Sequence, residues 1–442
     1  MYQQNNSQLA VLPRRSRRLA TIIPASHWIS MGYSESDAQL MEKLQNDIKK
    51  YCDNSGDIDI DLRGREDVGE LPHHDMMVPH WKKLFKALQG RTNVEFHITG
   101  ISLPTSLLDI AFPALHSVNI LKLTIFGADL GGEGFQCLSS YIGNNSSLTS
   151  FGVGADQLDD LSVATALSNA LKNHPTLKEV FIGDCAFHAS VFEKILEGCT
   201  RKKCLTLTFV DFNSDGIGVM ADFISSNHPI EKLHLKDINI ADNDTKLLVL
   251  ALKTNTRLKE LDLRENNEIA EEGEKAILKA MFDQTSLDSI VESNHTCKAY
   301  TKDHYEGLLS IVGFTLNPSI VSVPRPRFYL EREALYINGL NISTRKKIRK
   351  KVVLALCGVD GDLFDLSHFN DLPLGVMPRV LELIQDHATT RMRMANICLE
   401  KDALSRLFHT LRGWELPSLF VNLNTPSANA TTGRRKRRKT RR

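Results

Sequence analysis

The 442-residue chain has no apolar run near the roughly 18 residues that a membrane-spanning helix requires. Nor does its opening, MYQQNNSQLAVLPRRSRRLATII, follow the charged-then-apolar order of a secretory leader. The sequons at Asn145, Asn294, Asn341 and Asn429 are therefore expected to stay unglycosylated. Eight cysteines are scattered, and none forms a C-x-x-C pair. That pattern predicts reduced thiols in a reducing compartment, with Cys204 in the core, and gives no clustered ligands for a metal. There is no G-x-S-x-G, P-loop, H-E-x-x-H or dinucleotide fingerprint. The reading is a protein with no catalytic, cofactor-binding or metal-ligating residue, and not an enzyme.

A net charge of +1 conceals an uneven distribution. Residues 1–20 hold Arg14, Arg15, Arg17 and Arg18 and no acid. Residues 433–442 hold Arg434, Arg435, Lys436, Arg437, Arg438, Lys439, Arg441 and Arg442, again with no acid. Taking those twelve cations from the total leaves about −11 for the rest. An acidic body with cationic ends points to addressing or to polyanion binding. The last run suits recognition by a nuclear-import receptor, which predicts a nuclear protein, with a cytoplasmic one as the alternative. The tail has no apolar face, so a membrane partner is not expected.

What is abundant is a recurring pattern. Leu258 to Asn267 reads LKELDLRENN, with Leu258, Leu261 and Leu263 at offsets 0, +3 and +5 and Asn266 at +8. Leu261 and Leu263 alternate, so they share one face of a short strand. Asn266 is placed to bond the backbone where the chain turns away. Pattern starts fall at Ile120, Leu148, Leu177, Cys204, Ile230, Leu258 and Leu287, separated by 26 to 29 residues. Strands are expected near Leu121, Leu148, Leu177, Leu205, Glu231, Leu258 and Ser286. Each is followed by a segment of helical periodicity, such as LSVATALSNALKN from Leu161.

The pattern and period resemble the ribonuclease-inhibitor-like class of leucine-rich repeats. The resemblance covers about Val94 to Pro318. It implies an α/β solenoid with a parallel sheet on the concave side and helices on the convex side. The stretches SNHTC from Ser293, RKKIRKKVVLAL from Arg345 and DLPLGVMPRVLELI from Asp371 are similar to the tails of algal leucine-rich-repeat proteins. That likeness extends over nearly the whole chain and implies no activity.

The expected organisation is as follows. Residues 1–56 are mostly disordered and basic, although Leu40, Leu44 and Ile48 predict a helix from Glu35 to Tyr51. Residues 57–92 form a capping unit, with Trp81, Leu84, Phe85 and Leu88 inward. Residues 93–320 are the solenoid, 321–421 a small helical C-terminal domain, and 422–442 a disordered basic tail. Arg345 to Lys351, with six basic residues of seven, is read as a solvated helix start or, more sharply, a polyanion site.

On each strand, residues between the core positions face away from the core. The candidate partner surface so defined includes Phe126, Phe181, Val210, His234, Lys236, Asp262 and Arg264. Its early rungs are small or apolar and its late rungs charged. Exposed aromatics of this kind are enriched at interfaces. The leading function is a non-enzymatic scaffold that holds an unidentified protein partner. The alternatives are a nucleic-acid or chromatin-associated protein using the basic ends and a ubiquitin-ligase substrate adaptor, from the loose F-box echo in LPLGVMPRVLELI.

Overall fold

The computed structural model describes residues 21–53, 57–62, 71–154, 156–212, 215–285, 287–301 and 328–356. The expectations for both basic ends, and for all but residues 328–356 of the helical C-terminal domain, fall outside the described residues. The chain divides into two compact units. One is Met1–Asp244 with Asp262–Glu268; the other is Thr245–Leu261 with Ile269–Arg442.

Strands and helices alternate along the chain. In the first unit the strands are β1 (Ile58–Asp61), β2 (Val94–Thr99), β3 (Ile120–Phe126), β4 (Ser150–Gly154), β5 (Glu179–Phe187), β6 (Cys204–Phe212) and β7 (Lys232–Lys236). They pair in parallel, each with the next. Two further strands, β8 (Glu260–Asp262) and β9 (Lys298–Tyr300), follow along the chain. Parallel neighbours need crossovers, and those crossovers are right-handed. When strand order never reverses, every crossover helix lies on the same side of the sheet. Accordingly α2 (Glu35–Asp53), α3 (Val78–Leu88), α4 (Thr105–Leu115), α5 (Gly131–Asn144), α6 (Leu161–Asn173), α7 (Ala189–Cys199) and α8 (Gly216–Ser225) pack each on the next.

Core and open faces alternate as the leucine spacing requires. Leu123, Ile125, Phe151, Val153, Val180, Ile182, Leu205, Leu207, Leu233 and Leu235 are all buried. So are Val94, Phe96 and Ile98, and Trp81, Leu84, Phe85 and Leu88 on α3. Cys204 sits one residue ahead of Leu205, off the core face, and is half-buried rather than buried. Among the described residues Cys52, Cys137, Cys185, Cys199, Cys204 and Cys297 are not in disulfides.

Three expectations need correction. In the segment 1–56, the helix expected from Glu35 to Tyr51 is α2, and the described residues before it also carry α1 (Ala25–Ser30), which was not expected. Ser34 and Asp37 cap α2 reciprocally: the Asp37 N–H donates to Ser34 Oγ at 3.0 Å, and Ser34 Oγ donates to Asp37 Oδ2 at 2.7 Å. The inward stripe is Ala38, Met41, Leu44 and Ile48, at spacings of three and four, while Leu40 is half-buried. The second correction is the strand expected near Ser286. Residues Leu287–Glu292 form a helix instead, and β9 begins only at Lys298, after a turn held by Asn294.

The third concerns β5 and β6. Gly183 pairs with Thr208, and the next pair is Cys185 with Val210. Asp184 and Phe209 are each an inserted residue in left-handed backbone, with φ of 50° and 54°. Both strands thus bulge at the same level, and the alternation shifts by one residue. Val210, expected on the open face, is buried at 1% exposure, and Phe209 is turned out at 58%.

In the second unit, Phe282, Ile290, Ala334, Ile337, Leu354 and Ala355 form a core joining α10 (Glu271–Met281) and α11 (Leu287–Glu292) to the helices Phe328–Gly339 and Thr344–Leu356.

Asn266 serves the first unit as its sequence position suggests. It is buried and bonds backbone on all sides. Its Nδ2 donates to Leu235 O at 2.6 Å and Leu263 O at 2.9 Å, and its Oδ1 accepts from Ile238 N at 3.0 Å and Ile240 N at 3.2 Å. Asn266→Ala leaves two buried donors without an acceptor, at about 1–3 kcal/mol each. Urea unfolding should therefore show a loss comparable to that of Leu233→Ala, about 2–5 kcal/mol. A loss no larger than that of an exposed helix substitution would contradict this role.

Candidate functional site

The open face of the sheet, opposite the helices, is laid out in rows by the strand register. One row runs Asp59, His97, Thr124, Gly152, Phe181, Thr206 and His234 across β1 to β7. Two residues further along the strands lie Phe126 beside Gly154, and Gly183 beside Thr208 and Lys236.

The glycines make room for the rings. A Cβ on Gly152 would stand 3.1 Å from Thr124 Cγ2 and 3.3 Å from Phe126 Cε2. On Gly154 it would overlap the Phe126 ring and lie 2.6 Å from Gly183 O. On Gly183 it would meet Phe181 Cε1 at 3.1 Å and Phe126 Cε1 at 3.2 Å. The Phe126 ring therefore lies down across β4 and reaches β5. There it meets Phe181 edge-to-face, with centroids 4.9 Å apart and planes at 88°. Such a pair adds about 0.5–1.5 kcal/mol beyond its burial. Both rings are half-buried, so they form a low apolar platform. Phe209, on the same face of β6, is an aromatic that strict alternation would place in the core. The signal for it was present. In IGDCAF and TFVDF, unbroken alternation would drive Asp184 and Asp211 into the core. One inserted residue per strand turns both out.

At the β7–β8 end the charged residues engage one another. Arg264 donates from Nε to Asp262 Oδ1 at 2.9 Å, and its second terminal nitrogen lies 2.7 Å from Oδ2. Lys236 Nζ lies 3.6 Å from both Asp262 Oδ2 and Glu265 Oε1. Asp262, expected to face a partner, is buried at 2% exposure beneath these cations. Burial alone would raise its carboxyl, but the Arg264 hydrogen bonds and Lys236 hold it below the usual carboxylate range. His234 is half-buried, its Nδ1 3.4 Å from Thr206 Oγ1. The aromatic and charged candidates thus have different roles: Phe126 and Phe181 form a surface, while Lys236, Asp262 and Arg264 form a network of their own.

The basic run of the second unit is not a uniform cationic patch. Arg345, Lys346 and Arg349 are exposed, but Lys351 is fully buried. Its Nζ donates to Met281 O and, at 2.8 Å, to Asn294 O, closing the last turn of α10. Lys347 Nζ donates to Asn338 O at 2.6 Å. Burial, with Lys347 adding to it, lowers the Lys351 ammonium to about 7. Burial, then the Lys351 charge, lowers His295 to about 4. Among the described residues no three His, Cys, Asp or Glu side chains gather as a metal site.

Both depressed values give the same sign. A His held below its ordinary 6.5 contributes stability that is present above that pH and lost as the pH falls towards 4. A Lys held below 10.5 contributes stability that is present above that pH and lost as the pH falls through 7. The stability of this unit should therefore climb with pH over both windows. Denaturation across pH should show His295→Gln losing the slope between 4 and 6.5 while keeping the upper one. An unchanged lower slope would show that His295 is not its source.

No protein-family model matches the chain, and no curated protein matches it.

Proposed function

We propose that this protein is a non-enzymatic interaction scaffold of the leucine-rich-repeat kind, binding a protein partner on the open face of its sheet. The observation that supports this most is the Phe126–Phe181 pair lying on a floor of Gly152, Gly154 and Gly183. Glycine within strands weakens them, and here three on one face clear space for rings. Aromatic residues of limited side-chain freedom suit a protein interface. A photo-crosslinking residue at Thr206, beside Phe181, should capture one discrete partner in cells. The same residue at Lys172, exposed on α6, should not. Phe181→Ala should weaken that capture. Equal labelling from both positions would remove the open face from the account.

The run Arg434 to Arg442 is proposed as a nuclear address, engaged by an import receptor through its consecutive cations. A fluorescent fusion lacking residues 433–442 should lose most of its nuclear accumulation. An unchanged distribution after removal of both basic segments would rule out the address.

A further inference from the structure

The double bulge places three features together on the open face. Asp184 and Phe209 are the inserted residues of adjacent strands, flanked by the pairs Gly183–Thr208 and Cys185–Val210. They therefore stand opposite one another, about 4.8 Å apart in the pairing direction. Asp211, two residues beyond Phe209, is exposed on the same side. A bulky side chain in left-handed backbone is an outlier that the surroundings must enforce. Phe209 adopts it with its ring 58% exposed, so core burial is not what holds the phenylalanine there.

On β5 and β6 the charge beside this ring has one sign. The open-face positions of β5 and β6 include Glu179, Asp184 and Asp211 and no Lys or Arg. The described residues that follow β3 to β7 (127–130, 156–160, 188, 215 and 237–241) include aspartates and no Lys or Arg. Some of these are taken up locally, as Asp160 caps α6 and Asp159 holds His188 at 2.6 Å. Lys236 on β7 is engaged with Asp262 and Glu265.

We propose that the Asp184–Phe209–Asp211 site receives an arginine or lysine side chain from an extended, cationic segment of a partner protein. The face of a phenyl ring attracts a cation, and carboxylates beside it supply charge and acceptors. Arginine fits best, because its planar guanidinium stacks on the ring while reaching a carboxylate. Phe181 and Phe126 continue the surface across β5 and β3 for the apolar side chains or stems that follow. Phosphate-bearing ligands are repelled by the same carboxylates, so nucleic acid is not the occupant. This inference rests on the open-face reading and adds the chemistry of the partner to it.

The test uses the full chain and three fluorescein-labelled peptides: alternating arginine and serine, its citrulline counterpart, and its glutamate counterpart. Fluorescence anisotropy should show the arginine peptide binding wild type, more weakly as salt rises. Phe209→Gly should weaken it at least tenfold, as should Asp184→Asn with Asp211→Asn. Two helix-side exchanges, Glu133→Gln with Glu193→Gln, should leave it unchanged. Glycine suits the left-handed backbone, so Phe209→Gly should melt no lower than wild type, which separates binding from folding. No binding of the arginine peptide, or binding indifferent to Phe209→Gly, overturns the proposal. If the citrulline or glutamate peptide binds in a Phe209-dependent way, the open-face reading survives and the cationic partner falls. If no peptide depends on Phe209 and crosslinking from Thr206 captures nothing, both fall.

Discussion

A buried side-chain acceptor at the corner between helix and strand is the constraint on which four of the repeats depend. The chain must leave a helix, turn inside the protein and enter a strand, and its amide donors there have no water. Asn145 accepts from Ser147 N and Leu148 N, both at 2.9 Å, and His174 Nδ1 from Thr176 N and Leu177 N at 3.3 and 3.1 Å. In the second unit Asn255 does this for Arg257 N and Leu258 N, and Asn294 for Thr296 N and Cys297 N. In each case the strand begins four or five residues later. The helix before a corner can vary in length, as α11 does, while the corner still sets where the next strand starts.

That explains what could be read in the sequence. Leucine spacing revealed the core face because alternation has a period of two and helices cover only one side. Asn266 was legible because its neighbours at −3 and −5 are the core leucines of the same strand. The strand expected near Ser286 was misplaced because a leucine, Leu287, marked its start. The asparagine of SNHTC marks the turn itself, and counting from it gives Lys298. Cys204 is not a core position because the pattern there starts two residues earlier than the sequence reading set it: Leu205 and Leu207 pair with Leu233 and Leu235. Of the N-terminal helices, α2 was legible from Leu44 and Ile48, although its buried stripe runs through Ala38 and Met41 rather than Leu40, while the short α1 gave no periodic signal.

The open face was legible in part. Phe126 and Phe181 followed from alternation, but the Phe126 ring lies flat only because of glycines one and two strands further along the chain, a relation only register reveals. Lys236, Asp262 and Arg264 read as a charged surface, yet proximity turns them into a mutual network with the aspartate buried. The bulge was the largest gap. An aspartate at a position that alternation assigns to the core marks an insertion, and β5 and β6 carry one each.

The bulge also gives the account its most direct test, since it exchanges the surroundings of two adjacent residues. Hydroxyl-radical footprinting of the intact protein reads side-chain exposure one residue at a time. Phe209 should be modified far more than Val210, Phe187 or Phe151, and Phe126 and Phe181 should fall between. Protection of Phe209 with modification of Val210 would restore unbroken alternation and contradict the arrangement of the open face described above.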